Sequence, residues 1–128
     1  MVAYLSQAWL DRFKALAAGL PTRPGATARV QHLVTGAPGG EVSYVLVYED
    51  GKVVESALGG DPEADVTLIR TYDDSVQVAK GEVDADASYM QGRTKATGSM
   101  SKLMALLPVT QSEEHREVVT KLASETDV

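Results

Sequence analysis

No cysteine occurs among the 128 residues of this chain, which excludes a disulfide framework, a thiol nucleophile and a thiolate metal site. Positive charge is scarce, with 12 Lys and Arg against 18 Asp and Glu and a formal net charge of -6. Nucleic acid is therefore not an expected partner, because phosphate attraction needs clustered cations. No apolar run approaches the roughly 20 residues of a membrane span, so stable membrane insertion is not expected and the chain reads as soluble. Met1 to Phe13 lacks the basic start and continuous apolar core of a signal peptide, and Glu125 to Val128 is no peroxisomal or reticulum retrieval signal. The expected compartment is the cytoplasm.

Signatures of chemistry are missing as well. Gly36 to Gly40 is glycine-rich, but no Gly-Lys-Ser/Thr follows and it joins two strand-like runs, so it is no phosphate loop. Asp84, Asp86 and Ser88 imitate the first ligands of a calcium loop, yet Tyr89 stands where glycine is needed and Lys95 where the bidentate glutamate belongs. His32 and His115 lie far apart, without paired ligand spacing for zinc. Nothing sets a nucleophile beside a base. The expectation is a protein that is no enzyme and needs no cofactor or metal.

What remains is an ordinary globular composition, 44% hydrophobic and 23% charged, of a length that suits one domain over residues 1–128. Ser6 is the expected N-cap of a first helix, since Trp9, Leu10, Phe13, Leu16, Ala17 and Leu20 recur at three- and four-residue steps. The only Trp and the only Phe of the chain, Trp9 and Phe13, share that apolar face. Alternation then predicts strands over Ala28 to Val34, Val42 to Tyr48 and Lys52 to Leu58. Asp50-Gly51 turns the second into the third, because a type I′ turn needs positive φ at both central residues. Asp65 to Arg70 reads as a fourth strand. Thr71 and Asp74 form a capping box for a short helix with Val76 and Ala79 inward, and Asp84 caps another. Pro108 is expected to end a helix that starts near Met100, and Thr110 with Glu113 to cap a last helix reaching about Ser124. The acidic balance after residue 111 reads as a solvated tail.

The stretch from Tyr89 to Leu107 carries the most information. Gly92 closes one element and Gly98 turns into the next, with a short strand, Arg93 to Thr97, between them. Met100, Leu103, Met104, Leu106 and Leu107 then crowd into one helix that is apolar nearly all round. The run Met90-Gln91-Gly92-Arg93-x-Lys95-x-Thr97-Gly98-x-Met100-x-x-Leu103-Met104 resembles the signature of the sterol carrier protein type 2 family, and nearly the whole chain follows that family's order of elements.

The resemblance implies an α+β fold, a five-stranded mixed, mainly antiparallel sheet with helices packed mostly on one face. It also implies a non-catalytic carrier of sterols, fatty acids or fatty acyl thioesters in an apolar tunnel. Its candidate lining is Phe13 and Leu16 from the first helix, Met90, Met100, Leu103, Met104 and Leu107 from the signature region, and Val119 and Leu122 from the last helix. Gln91 is a candidate polar contact by resemblance only. Arg93, Lys95 and Lys102 either meet a headgroup or are simply solvated. Residues at these spacings also make a plain hydrophobic core, and that alternative stays open, as do a dimerisation module and an accessory to an enzyme acting on a hydrophobic precursor. The expected partner is a hydrophobic small molecule, bound by a monomer or homodimer. The last helix departs from the family's short animal form, whose matching region is a brief tail.

Overall fold

The structure, a computed structural model, describes residues 1–83 and 85–127. The chain runs β1 (Val2–Ala3), α1 (Gln7–Ala17), β2 (Ala28–Thr35), β3 (Val42–Glu49), β4 (Lys52–Leu58), β5 (Val66–Thr71), α2 (Tyr72–Ala79), α3 (Ala85–Met90), β6 (Lys95–Gly98), α4 (Met100–Thr110), α5 (Glu113–Ser124) and β7 (Thr126–Asp127). Five strands form one sheet in the order β4-β3-β2-β5-β6. Among the described residues only the β2–β5 pair in it is parallel. This is the predicted α+β class with a mixed, mainly antiparallel sheet.

Alternation decides the two faces of the sheet. Ala28, Val30 and Val34 of β2 are buried, and across the β2–β3 ladder Val30 meets Leu46 while His32 meets Tyr44. The β2–β5 ladder adds Val66, Leu68 and Arg70 beside Val30, His32 and Val34. These residues share the inner face, under the helices, because side chains of one strand reach the same face every second position. Between β3 and β4, Asp50 and Gly51 take φ of 50° and 86°, as a two-residue turn of this hand requires.

The Ser6 hydroxyl accepts from the amide of Trp9 at 3.2 Å and caps α1, and Thr71 accepts from Asp74 at 3.2 Å and caps α2. In α2 the side chain buried most deeply is Ser75, while Val76 and Ala79 are only half-buried. The expected cap Asp84 of α3 lies outside the described residues.

Several expectations are corrected. Pro108 does not end α4, which continues to Thr110. Proline there forfeits one amide bond to the residue four positions back, and the last turn is held by burial of Val109 and by the Gln111 amide, which donates to the Leu107 carbonyl at 2.9 Å. Thr110 is therefore a helical residue and no cap. Ser112 caps α5, its hydroxyl accepting from the His115 amide at 3.1 Å. α4, apolar nearly all round, leaves Met100 and Met104 exposed. The acidic side chains after residue 111 are mostly solvated, with Glu113, Glu114, Glu117 and Asp127 exposed, but the end of the chain is anchored. Thr126 and Asp127 pair in parallel with Val2 and Ala3, and Arg12 holds the Glu125 carboxylate with both ends of its fork at 2.6 and 3.2 Å.

Candidate functional site

Between the inner face of the sheet and helices α1, α4 and α5 lies a cavity of about 320 Å³. Its floor comes from alternating sheet positions: Val30 and His32 of β2, Tyr44, Leu46 and Tyr48 of β3, and Leu68 and Arg70 of β5. Trp9, Leu10 and Phe13 of α1 form one wall, and Leu103, Met104, Leu106 and Leu107 of α4 form the other. His115, Val119 and Leu122 of α5 close a further side. Tyr89 and Met90 stand at the rim, where Met90 is 82% and Met104 50% exposed.

Seven of the candidate residues meet at this cavity: Phe13, Met90, Leu103, Met104, Leu107, Val119 and Leu122. Leu16, Gln91 and Met100 do not line it. Leu16 packs half-buried against the core, and Gln91 and Met100 are exposed. The signature region is mostly on the surface and shapes the backbone. Gly92 and Gly98 take φ of 77° and 103°, and Arg93 donates to the Gln77 side chain at 2.9 Å. Arg93, Lys95 and Lys102 are exposed and none of them lines the cavity.

Sequence reasoning missed the polar part of the floor. Arg70 is 7% exposed and, among the described residues, is the one Asp, Glu, Lys or Arg that lines the cavity. Among the described residues no carboxylate pairs with it, and its Nε is buried without a hydrogen-bond partner. His32 stacks on Tyr44 with ring centroids 4.5 Å apart, and its Nδ1 is likewise buried without a partner. Burial, assisted by the charge of Arg70, holds His32 well below its usual range, so the ring is neutral. Burial also raises the Tyr44 and Tyr48 phenols, which stay protonated. A signal was present in the sequence: Arg70 falls on the same strand face as Val66 and Leu68, a cation at an inward position.

An aromatic chain supports this floor. Tyr4 meets Trp9 edge to face at 5.0 Å, and Trp9 meets Tyr44 in the same way at 5.5 Å. Among the described residues no hydrogen bond joins His32 to a hydroxyl, and no cluster of His, Asp or Glu is placed to hold a metal ion. The hydroxyls of Ser88 and Thr94 lie 2.8 Å apart, buried, and tie α3 to the residue before β6, and Thr94 lines the cavity.

Residues 10–111 match the model of the SCP-2 sterol transfer family. The chain belongs to that family. Its fold is also that of a crystal structure of sterol carrier protein 2, with a TM-score of 0.71 at 18% identity over 97% of this chain and 99% of the other. A conserved hypothetical protein of Thermus thermophilus aligns with a TM-score of 0.66 at 17% identity, over 93% of this chain and 89% of the other. A variant of a sec-alkylsulfatase from Pseudomonas aligns with a TM-score of 0.55 at 25% identity, over 76% of this chain but 15% of that one. No curated protein sequence matches this chain. Within the sterol transfer family match lie all of the sheet and α4, and α5 lies beyond it.

Proposed function

We propose that this family member is a non-catalytic carrier that holds a hydrophobic small molecule, of the sterol, fatty acid or fatty acyl thioester kind, in the cavity between sheet and helices. The observation that supports this reading is the void itself. Protein interiors are close-packed, with few voids larger than a water molecule, whereas here about 320 Å³ is left among side chains that are mostly aliphatic or aromatic. That volume falls at the lower end of the roughly 300–1,000 Å³ of small-molecule sites. Burying a chain of about fifteen methylenes contributes at most roughly 12 kcal/mol at ~0.8 per group. Association costs of roughly 4 to 15 kcal/mol offset much of it, which leaves affinities from weak to about micromolar without any polar contact.

Admission of such a molecule requires an element that yields. α5 is tied to α1 through Arg12 and Glu125 and to the start of the chain through β7. α4 carries the exposed Met100 and Met104 and is the element that moves.

Lipid-stripped protein titrated with a fluorescent fatty acid is expected to show saturable binding. Leu103→Arg, which sets an unpaired charge in the wall, weakens it about ten-fold or more with the circular dichroism spectrum retained. No saturable binding by the wild-type protein, or undiminished affinity in the folded variant, overturns the proposal. The sulfatase, in which the matched part is 15% of the chain, supports a second reading, an accessory to an enzyme acting on a hydrophobic precursor. Native mass spectrometry of protein from cells separates the two: an apolar molecule carried by the free protein supports the carrier, and an empty protein joined to an enzyme subunit supports the accessory.

A further inference from the structure

We infer that the floor of the cavity is a recognition site for one monoanionic head, held by the Arg70 guanidinium with His32 beside it, so that the molecule carried is an acidic amphiphile inserted head first. The inference rests on the carrier reading and goes on to say which end of the ligand lies inside.

An arginine shut into apolar surroundings is strongly unfavourable unless a counter-charge and hydrogen-bond acceptors complete it. The other arginines in ion pairs, Arg12, Arg23 and Arg29, meet Glu125, Glu114 and Asp61 near the surface. Arg70 is more deeply buried than any of them, and among the described residues it meets no carboxylate and the cavity lining contains no Asp or Glu. The charged groups and phenols that face it belong to Tyr4, Tyr44 and the neutral His32. The chain therefore supplies a cation and a ring nitrogen without partners, and leaves their complement to whatever fills the void. A guanidinium presents a planar fork that fits the two oxygens of a carboxylate. Neutral imidazole offers one N–H donor and one acceptor, so a single head can engage both side chains.

The charge count sets the class of head. One guanidinium balances one negative charge, and among the described residues no lysine or second arginine lines the cavity. A phosphate monoester carries about 1.5 to 2 charges at neutral pH and leaves buried negative charge uncompensated. The apolar body then lies beneath Leu103, Leu106 and Leu107, toward the exposed Met104 and Met90.

The test compares dodecanoic acid, dodecanol and dodecyl phosphate binding to lipid-stripped protein by calorimetry. The wild-type protein is expected to take the acid about ten-fold or more tighter than the alcohol, as a charge-assisted pair implies, and tighter than the phosphate. Arg70→Met loses that preference, and without ligand it melts at or above the wild-type temperature because an unpaired buried charge is gone. Alcohol bound as tightly as acid by the wild-type protein overturns the head site and leaves the carrier reading standing. Failure of every probe to bind overturns both. Phosphate bound tighter than acid overturns the monoanionic assignment. If Arg70→Met does not fold, Arg70→Gln takes its place, and an equal loss for acid and alcohol in that variant marks Arg70 as merely structural and overturns the inference.

Discussion

At Gly98 the backbone stands at φ of 103°, and a methyl group added there runs into the Asp65 carbonyl oxygen and comes within 3.2 Å of the Val66 Cα. Both neighbours are backbone, Asp65 just before β5 and Val66 at its start, and cannot step aside. Gly98→Ala is expected to destabilise the fold by about 1–3 kcal/mol, read from urea unfolding; an unmoved midpoint would mean the β5–β6 ladder has slack. The neighbouring Gly92 also has positive φ but open space around it, so alanine there meets only the conformational strain. Both glycines were legible because turns require them. His32 was not legible in the same way: its sequence neighbours mark a strand, and only tertiary packing isolates its ring. Its folded-state pKa lies well below the ordinary 6.5. Above that pH the residue is neutral folded and unfolded. As pH falls below 6.5, the unfolded chain takes up a proton that the folded chain refuses, so stability falls by up to roughly 1.4 kcal/mol per pH unit until the folded ring titrates. Unfolding curves at pH 7, 6 and 5 are expected to show that slope in the wild-type protein, and a shallower one in His32→Phe.

The junction of α4 and α5 is where local rules misled. Pro108 and Thr110 offer the usual stop and start signals, but Val109 between them is 1% exposed and its burial carries the helix past the proline. A helix boundary is then set by what the last turn packs against, which no local pattern contains. The true cap is Ser112, so Ser112→Ala is expected to cost about 1 kcal/mol of stability. Thr110→Val is expected to be neutral or stabilising, because the Thr110 hydroxyl is buried without a partner and the substitution keeps its shape. The opposite ranking in thermal melts would restore Thr110 as the cap. The strands β2, β3 and β4, by contrast, were legible almost to the residue, since alternation and the Asp50-Gly51 turn point to the same register.

For the whole molecule, one feature escaped the sequence, and another was expected from the family resemblance alone and not from residue spacing. The first is the clasp of β1 on β7, whose two-residue strands are too short to show a period. The second is the void, because side chains at the spacing of a packed core also line a hollow, and the difference lies in how the layers fit. The clasp has a measurable consequence. Arg12, chiefly through its hydrogen bonds and then its charge, holds the Glu125 carboxyl below its usual 4.5. That contribution is complete above pH 4.5 and is lost as pH falls through the lowered folded value. Arg12→Ala is therefore expected to narrow the stability difference between pH 7 and pH 3.5 in denaturant titrations. An unchanged difference would show the pair to be screened by solvent.

Trp9 gives the protein a gauge of its own filling. It is the chain's single indole, it lines the cavity, and its ring is wedged between Tyr4 and Tyr44. Its emission colour and accessibility to a quencher such as acrylamide therefore track whether water or hydrocarbon lies against it, and loading can be followed in real time without any label.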